Sequence, residues 1–278
     1  MIEISINPII FSIGSFNLGW YGLWIGVGVT ALLAWVIYST IKYKPGFNIE
    51  NIMTVAIVAI PSALIGARLF HVIDYWDYYV AHLNEIIGFE GLAIWGALIF
   101  GVGAVFVYCQ FAKVNFFKIA DTAIPGLFLA QAIGRLGCLF TGCCYGNVTN
   151  VSWSISYTNS ASHGYYDSQF LDAGTGFHPT QIYESLFMLA MFFLFAFVLR
   201  RQRWPVGTLF IGYIAAYSLW RIVLGFFRIN ESVLWVFSQA QLIGIVGLLI
   251  VAPLMWWYIS RSEQQQNQNQ KENNQKIE

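Results

Sequence analysis

Charged side chains are scarce in this sequence. Only 10% of its 278 residues are Asp, Glu, Lys or Arg, and 58% are hydrophobic, whereas soluble domains carry about 25% charged residues. This composition excludes an ordinary soluble domain and predicts a protein with several membrane spans. The net charge is zero, so the positions of the few charges carry more information than their sum.

Two other features are missing. No internal repeat of the kind found in many transporters is apparent, and the opening residues MIEISINPIIFS lack the basic start and small-residue cleavage site of a signal peptide. Residues 261–278 are polar and low in complexity, which predicts a disordered tail. A membrane domain is therefore predicted over residues 1–260.

Long apolar runs are abundant. About 20 apolar residues are needed to cross the hydrocarbon core, and seven segments meet this length: 17–39, 51–73, 92–112, 119–140, 180–200, 206–227 and 233–258. Residues 141–178 are too polar to span and are predicted to form a small extracytoplasmic head region. The predicted fold is all-α, a polytopic membrane protein with seven transmembrane helices.

Lysine and arginine are distributed unevenly among the loops. Basic residues near span ends favour the cytoplasmic side, and ten of the fourteen fall on one side if the seven spans alternate. The opposite loops, such as residues 74–90, hold acids and no lysine. This pattern predicts an N-terminus outside the cell and a cytoplasmic C-terminus. The ten residues are Lys42, Lys44, Lys113, Lys118, Arg200, Arg201, Arg203, Arg261, Lys271 and Lys276.

The four remaining basic residues are Arg68, Arg135, Arg221 and Arg228, and each is predicted near the outer end of a span. An arginine at the centre of a span costs about 2.5–3.5 kcal/mol. Two explanations are open: interface anchors that reach the headgroups, or a site for an anion. Glu184 is the one acid at matching depth and cannot neutralise four guanidinium groups. Because a guanidinium binds phosphate in bidentate fashion, a phospholipid headgroup is the favoured anion.

Six short motifs follow one another along the chain: WYGLW at 20–24, GARLFHVIDYWDYY at 66–79, GLAIWGALIFG at 91–101, GRLGCLFTGCCYG at 134–146, HPTQIYESL at 178–186 and YSLWRIVLGFFR at 217–228. In order and spacing they resemble the prolipoprotein diacylglyceryl transferases, seven-span enzymes of the bacterial cytoplasmic membrane. The resemblance implies transfer of diacylglyceryl from phosphatidylglycerol to the lipobox cysteine of an exported prolipoprotein, forming a thioether and releasing glycerol phosphate. It implies these two substrates and membrane lipid as partners, with no nucleic acid and no cofactor.

The resemblance also implies roles for individual residues. Arg135 and Arg221 would be catalytic, holding the phosphate and stabilising the departing charge. Tyr21 and Tyr217 would line the headgroup pocket, and Arg228 would flank its mouth. The full set of predicted substrate-binding residues is Tyr21, Arg135, His178, Glu184, Tyr217, Arg221 and Arg228.

Four positions depart from the family pattern. Trp95 stands where the family has a histidine that is often proposed as general base. Cys138 stands where the family has an asparagine, and Cys143 and Gly225 stand where it has glutamates. Tryptophan cannot accept a proton. His178 is an alternative acceptor, although it also suits a helix start, and a thiol of pKa about 8.5 is already partly ionised near neutrality. The reaction is therefore expected to need no strong base.

Three cysteines lie within seven positions, Cys138, Cys143 and Cys144, and three interpretations are open. They pack at a crowded turn, or Cys138 and Cys143 form a structural disulfide, as the outer compartment favours. They bind a metal, although zinc usually takes four ligands and the C-x-x-C spacing is missing, so no metal is expected. They carry out redox or acyl chemistry. Cys109 lies alone in an apolar run and is predicted to be core.

Two other classes of function compete with the transferase. A diverged family member could have another substrate or no activity, because four polar positions have changed. A membrane thiol–disulfide oxidoreductase would use the outer cysteines, but it would leave the four arginines unexplained. A channel or transporter would place charges or broken helices at mid-membrane, whereas here the charges gather near one face.

Overall fold

A computed structural model describes residues 1–14, 16–87, 91, 93–202, 204–229, 232–234, 237–251 and 253. The chain divides into two compact units. The first unit contains Met1–Leu32 and Ala123–Glu278, and the second contains Leu33–Thr122.

Within the residues that the structure describes, six helices are long and apolar enough to cross a membrane. They are α1 (Trp20–Tyr43), α2 (Ile49–Asp74), α4 (Ile94–Ala112), α5 (Phe116–Thr141), α7 (Thr180–Phe193, continued by irregular helical turns to Arg201) and α8 (Thr208–Gly225). They agree with the first six predicted spans to within a few residues at each end. The prediction of an all-α membrane protein is thereby confirmed for its long elements.

The seventh predicted span, 233–258, is only partly covered by the described residues. A shorter apolar helix, α9, runs over Gln239–Val251. The predicted tail 261–278 lies outside the described residues.

Helices α2 and α4 pack closely in the second unit. A Cβ atom on Gly96 would lie 2.0 Å from the carbonyl oxygen of Gly66, and one on Gly101 would lie 3.2 Å from the Cβ of Ala63. Small residues let helix backbones approach in this way within membranes. Gly96 and Gly101 of the GLAIWGALIFG motif are thus explained by helix packing.

Arg68 also belongs to the second unit, where it stabilises the segment between α2 and α4. This segment contains the short helix α3 (Trp76–Ala81). The guanidinium group donates hydrogen bonds to the carbonyl oxygens of Ile86 (2.9 Å), Gly91 (3.2 Å) and Glu85, and lies over the ring of Tyr79. Arg68 therefore fixes a connecting segment, a role that the sequence interpretation did not assign to it.

In the first unit, α5 is the most enclosed of the six long helices. In its most apolar stretch 44% of the residues are buried, against 28% or less in each of the others. On one side, a Cβ on Gly28 of α1 would lie 2.9 Å from the carbonyl oxygen of Ala130. On another, Phe128 is fully buried against Phe195 and Tyr213. Residues on α5 are consequently held by neighbours on several sides.

The predicted head segment contains a small mixed sheet that the sequence analysis did not predict. Its strands are β1 (Ile2–Ile4), β4 (Val148–Thr149), β5 (Ile155–Tyr157) and β6 (Gly176–Phe177), in the order β1-β5-β6-β4. Strand β1 runs parallel to β5, and Ile155, Tyr157 and Phe177 form a buried cluster. The N-terminal strand is therefore part of the fold of residues 141–178.

Shorter elements complete the described chain. Strands β2 (Ile9–Ile13) and β3 (Phe16–Gly19) form an antiparallel hairpin before α1. Helix α6 (Tyr165–Ser168) lies in the head segment, and β7 (Ser232–Leu234) pairs with β8 (Phe237–Ser238) after α8.

Candidate active site

A polar face on α5 begins the candidate site. Gln131 and Arg135 are four residues apart and so lie on the same side of the helix. Gln131 donates from Nε2 to the hydroxyl of Tyr213 at 2.6 Å. Arg135 donates from Nη2 to Oε1 of Glu184 at 2.7 Å. The helix thus directs one amide and one guanidinium toward polar groups of α8 and α7.

The Arg135–Glu184 ion pair is largely withdrawn from the protein surface. The Glu184 side chain is 4% exposed and that of Arg135 is 22% exposed. A buried carboxylate without a partner is strongly destabilising, and Arg135 supplies the counter-charge for Glu184 at this position. A hydrogen bond from Ser185 Oγ to the carbonyl oxygen of Ala132 (2.8 Å) joins α7 to α5 beside the pair.

Three residues on α8 extend the polar face. Tyr213, Tyr217 and Arg221 recur at intervals of four and lie along one side of the helix. The rings of Tyr213 and Tyr217 are stacked with centroids 5.9 Å apart, and the Arg221 Cζ lies 6.0 Å from the Tyr217 centroid. Throughout the described part of the chain, no carboxylate lies within ion-pair distance of Arg221. Its charge remains available to an anion.

Tyr21 lies where α1 meets the end of α5. A Cβ on Gly137 would lie 3.2 Å from the Cα of Tyr21 and from the Cβ of Trp24, so the glycine permits this close approach. The Tyr21 side chain itself is 49% exposed. Phe140, one turn further along α5, contacts the rings of Trp20 and Trp24.

The three neighbouring cysteines come together beyond the end of α5. Their sulfur atoms all lie within 4.8 Å of one another, and all four cysteines of the chain are free thiols. The Cys138–Cys143 disulfide, one of the interpretations left open by the sequence, is therefore not a feature of this structure. Cys109, the isolated cysteine, is buried as predicted.

Charge and hydrogen bonding distinguish the two thiols that lie outside the helix. Thiol donors from Cys138 and Cys143, with the positive charges of Arg228 and Arg135, lower the pKa of Cys144. Interaction with the other two sulfurs and burial raise the pKa of Cys143. The cluster thus concentrates negative charge on the sulfur of Cys144.

His178 and Arg228 lie on paired backbone segments next to the thiols. Gly146 pairs with Arg228 in an isolated antiparallel bridge, and the backbone amide of Gly146 donates to the carbonyl oxygen of His178 at 2.9 Å. The Nδ1 atom of His178 lies 3.2 Å from the Tyr183 hydroxyl. Burial lowers the pKa of His178, so its imidazole is neutral at pH 7.

A cavity of about 400 Å³ opens beside these groups. Cys143, Cys144 and Arg228 line it together with His163 and Asp167. The carboxylate of Asp167 accepts a short hydrogen bond from the Tyr145 hydroxyl. The cavity therefore has thiols and a guanidinium on its wall.

Comparison with known proteins identifies the family. The model of the prolipoprotein diacylglyceryl transferase family matches residues 8–257. The chain belongs to this family. It is 38% identical over 266 residues to the phosphatidylglycerol–prolipoprotein diacylglyceryl transferase of Dehalococcoides mccartyi strain CBDB1, covering 95% of this chain and 98% of the relative. The protein of the same name from Clostridium kluyveri strain NBRC 12016 is 32% identical over 246 residues, covering 88% of this chain and 93% of the relative.

The diacylglyceryl transferase site predicted from sequence is thus brought together in part. Arg135 and Glu184 are in direct contact, Tyr217 and Arg221 share one face of α8, and Arg228 lies near the thiols. Trp95, at the start of α4, belongs to the second unit, where its side chain is 53% exposed. The indole ring of Trp95 has no proton acceptor and cannot serve as a general base.

Sequence reasoning overlooked several polar residues of the candidate site. Gln131 precedes Arg135 by four residues and Tyr213 precedes Tyr217 by four, so helical spacing from the predicted site residues would have found both. Gln181 and Gln241 are almost fully buried, and each hydrogen-bonds a segment that is distant in sequence. These contacts are known only from the fold.

Gln241 accounts for one departure from the transferase pattern. A Cβ on Gly225 would lie 2.4 Å from the Cγ and Cδ atoms of Gln241. The Gln241 amide donates to the carbonyl oxygen of Ile222 (3.2 Å) and accepts from the backbone amide of Ser238 (2.9 Å). A neutral amide from α9 thus occupies the space beside residue 225.

Gly225→Ala is expected to destabilise the protein by about 1–3 kcal/mol, because the added methyl group overpacks a filled site. Thermal unfolding in detergent measures the effect. Gly212→Ala, on the same helix, is the matched control, because its Cβ would lie 3.4 Å from the nearest atoms, in the Phe195 ring. The double variant Gly225→Ala with Gln241→Ala should lose less thermal stability than the sum of the losses in the two single variants, because the shortened residue 241 leaves room for the new methyl group. Losses that simply add would contradict the predicted clash.

Proposed function

We propose that this chain transfers the diacylglyceryl group of phosphatidylglycerol to the lipobox cysteine of an exported prolipoprotein. The thiolate sulfur forms a bond to the glyceryl carbon while the bond from that carbon to the phosphate oxygen breaks. The bonding electrons leave with the phosphate, and glycerol phosphate is released. The names of the relatives state both substrates.

The observation that carries the proposal is the hydrogen bond from Gln131 of α5 to Tyr213 of α8, which brings the helix face that carries Arg135 next to the helix face that carries Tyr217 and Arg221. Arg135 is fixed by Glu184, and it projects from the buried helix α5. Arg221 has no carboxylate partner among the described residues and stands beside the Tyr217 ring. A phosphate diester bound along these faces would contact two guanidinium groups: that of Arg135, which Glu184 holds in position, and that of Arg221, whose charge no carboxylate neutralises among the described residues.

We assign the residue roles on this basis. Arg221, with Arg135, binds the headgroup phosphate and stabilises the negative charge that develops as it leaves. Tyr21 and Tyr217 line the headgroup pocket, and Glu184 positions Arg135. Arg228 lies at the mouth, on the wall of the cavity that we assign to the peptide thiol.

The proposed arrangement in the membrane follows the charge pattern. The six long helices and a seventh span near the C-terminus cross the bacterial cytoplasmic membrane, with the N-terminus outside and the C-terminus in the cytoplasm. Residues 141–178 form the head on the outer side.

His178, held neutral near Tyr183, is available to accept the thiol proton, although the lowered pKa makes it a weaker base than free histidine.

Purified protein in detergent, given phosphatidylglycerol and a lipobox peptide, tests the proposal. We expect release of glycerol phosphate together with a peptide mass increase equal to one diacylglyceryl group. A peptide with serine in place of the cysteine should give neither product. Absence of both products from folded protein, while another family member is active in parallel, would overturn the proposed function.

A further inference from the structure

The cluster of Cys138, Cys143 and Cys144 is built by an unusual turn. Helix α5 ends at Thr141, and the next residue, Gly142, has φ +78°. Cys144 has φ +63°, a left-handed conformation that costs a residue other than glycine about 1–2 kcal/mol. The two left-handed residues turn the chain back, so that all three sulfur atoms face one another within 4.8 Å.

Hydrogen bonds from the start of α7 hold this turn in place. Gln181 donates from Nε2 to the carbonyl oxygen of Cys143 at 2.7 Å, and Thr180 donates from Oγ1 to that of Cys144 at 2.6 Å. Both side chains are almost completely buried. The backbone of the cluster is therefore fixed without any contribution from the sulfur atoms, and the three thiols are preorganised.

We propose that these three cysteines bind a divalent zinc-type cation and that its fourth coordination position takes a thiol. A zinc–sulfur bond is about 2.3 Å long, which corresponds to about 3.8 Å between sulfurs in a tetrahedral site. The outermost sulfurs need to approach by about 1 Å, which side-chain rotation supplies. Binding releases to solvent the thiol protons that remain on the three sulfurs.

The charges around the cluster suit an anionic metal–thiolate centre. Three thiolates and one divalent cation leave one net negative charge, and a fourth thiolate leaves two. Arg135 lies with Nη1 3.8 Å from the Cys138 sulfur, and Arg228 lines the cavity with Cys144. Charged groups that contact the ligand atoms without binding the metal stabilise and orient those ligands. Glu184 is paired with Arg135 and Asp167 with Tyr145, so neither carboxylate competes for the cation.

The fourth position faces a space large enough for a substrate side chain. In the described part of the chain, the group of potential ligands consists of these three thiols alone, and three protein ligands with one open position characterise catalytic zinc sites. Cys143 and Cys144 line the cavity of about 400 Å³. A thiol entering from it would complete the tetrahedron.

The choice of a peptide thiol as fourth ligand rests on the proposed function, whereas the metal site does not. A thiol that coordinates zinc is deprotonated outright. Its proton passes to His178 or to solvent, and the sulfur then attacks the glyceryl carbon as the phosphate leaves. This activation would supply what Trp95 cannot, and it would account for cysteines at two positions where the family pattern has asparagine and glutamate.

Metal content tests the site directly. Full-length protein, purified in detergent with a phosphine reductant and loaded with Zn²⁺ before desalting, is expected to retain one zinc per chain. Cys138→Ser, Cys143→Ser and Cys144→Ser should each lower zinc retention at least tenfold, and Cys109→Ser, the matched control, should retain it fully. Reduced wild-type protein that retains no zinc would overturn the inference, as would equal loss in the Cys109→Ser control.

Cobalt substitution tests the fourth ligand. Co²⁺ bound by three thiolates should give sulfur-to-metal charge-transfer bands, and addition of the lipobox peptide should increase their intensity by about one third. The serine peptide should leave them unchanged. Bands that do not respond to the cysteine peptide would overturn the role of the open position.

Transferase activity measured on the same samples separates the two proposals. Zinc-loaded protein that transfers diacylglyceryl and loses at least tenfold in rate on Cys144→Ser supports both. Unaltered transfer in a metal-free Cys144→Ser variant overturns the activation of the peptide thiol by the metal and leaves the proposed function standing. Bound zinc in a protein without transfer overturns the proposed function and leaves the metal site standing.

Discussion

Replacing Arg135 with methionine is expected to lower both the stability and the activity of the transferase. The change leaves the Glu184 carboxylate, 4% exposed, without its counter-charge, and breaking a buried ion pair costs about 3–5 kcal/mol. It also removes one of the two cations that we propose stabilise the departing phosphate, and such a loss lowers the rate by about 10²–10³-fold. Thermal unfolding and glycerol phosphate release measure the two effects on one preparation.

A double variant separates these two consequences. Arg135→Met with Glu184→Leu replaces the ion pair by apolar side chains, and such replacements are often neutral or stabilising. We expect the double variant to regain the thermal stability that the single variant loses, while activity stays at the single-variant level. Recovery of activity in the double variant would show that Arg135 serves only to neutralise Glu184.

Arg221→Ala is expected to reduce kcat/KM for phosphatidylglycerol by about 10²–10³-fold while leaving thermal stability unchanged. In the described residues this guanidinium is not joined to a carboxylate, so its removal strands no buried charge. Arg221→Lys should recover only part of the loss, because lysine keeps the charge but not the planar, bidentate fork.

Arg201→Ala is the matched control for this prediction. Arg201 is an exposed arginine at the opposite end of the α7 region, and its loss removes the same charge from the chain. We expect wild-type activity from this control. An Arg221→Ala variant within threefold of wild type would place phosphate recognition elsewhere.

The sequence was sufficient to predict the long helices and part of the site. Apolar length alone located six spans to within a few residues, because the hydrocarbon core sets a physical minimum for a crossing helix. The cost of burying charge singled out Arg135 and Glu184, which the structure joins at 2.7 Å. Span positions and buried charges can be predicted from the sequence because one energetic cost dominates each of them.

Other features depend on partners that are distant in sequence. The thiol cluster needs a left-handed residue at Cys144 and hydrogen bonds from Thr180 and Gln181, which follow by 36 and 38 residues. Arg68 was grouped with the other arginines by depth, yet loop carbonyl groups satisfy it. Neither arrangement has a local pattern in the sequence, because backbone acceptors are present in every residue.

The parallel pairing of β1 with β5 bears on the order of events during synthesis. Ile2 pairs with Ile155, so the first strand has no partner until about 150 further residues have been made. At about 5–20 residues per second, that interval is on the order of 10–30 s, during which several helices enter the bilayer. In the membrane arrangement that we propose, the N-terminal segment stays unpaired on the outer side of the membrane throughout this time. A bulky fusion at the N-terminus would therefore obstruct a late step in biogenesis rather than the insertion of the first helix.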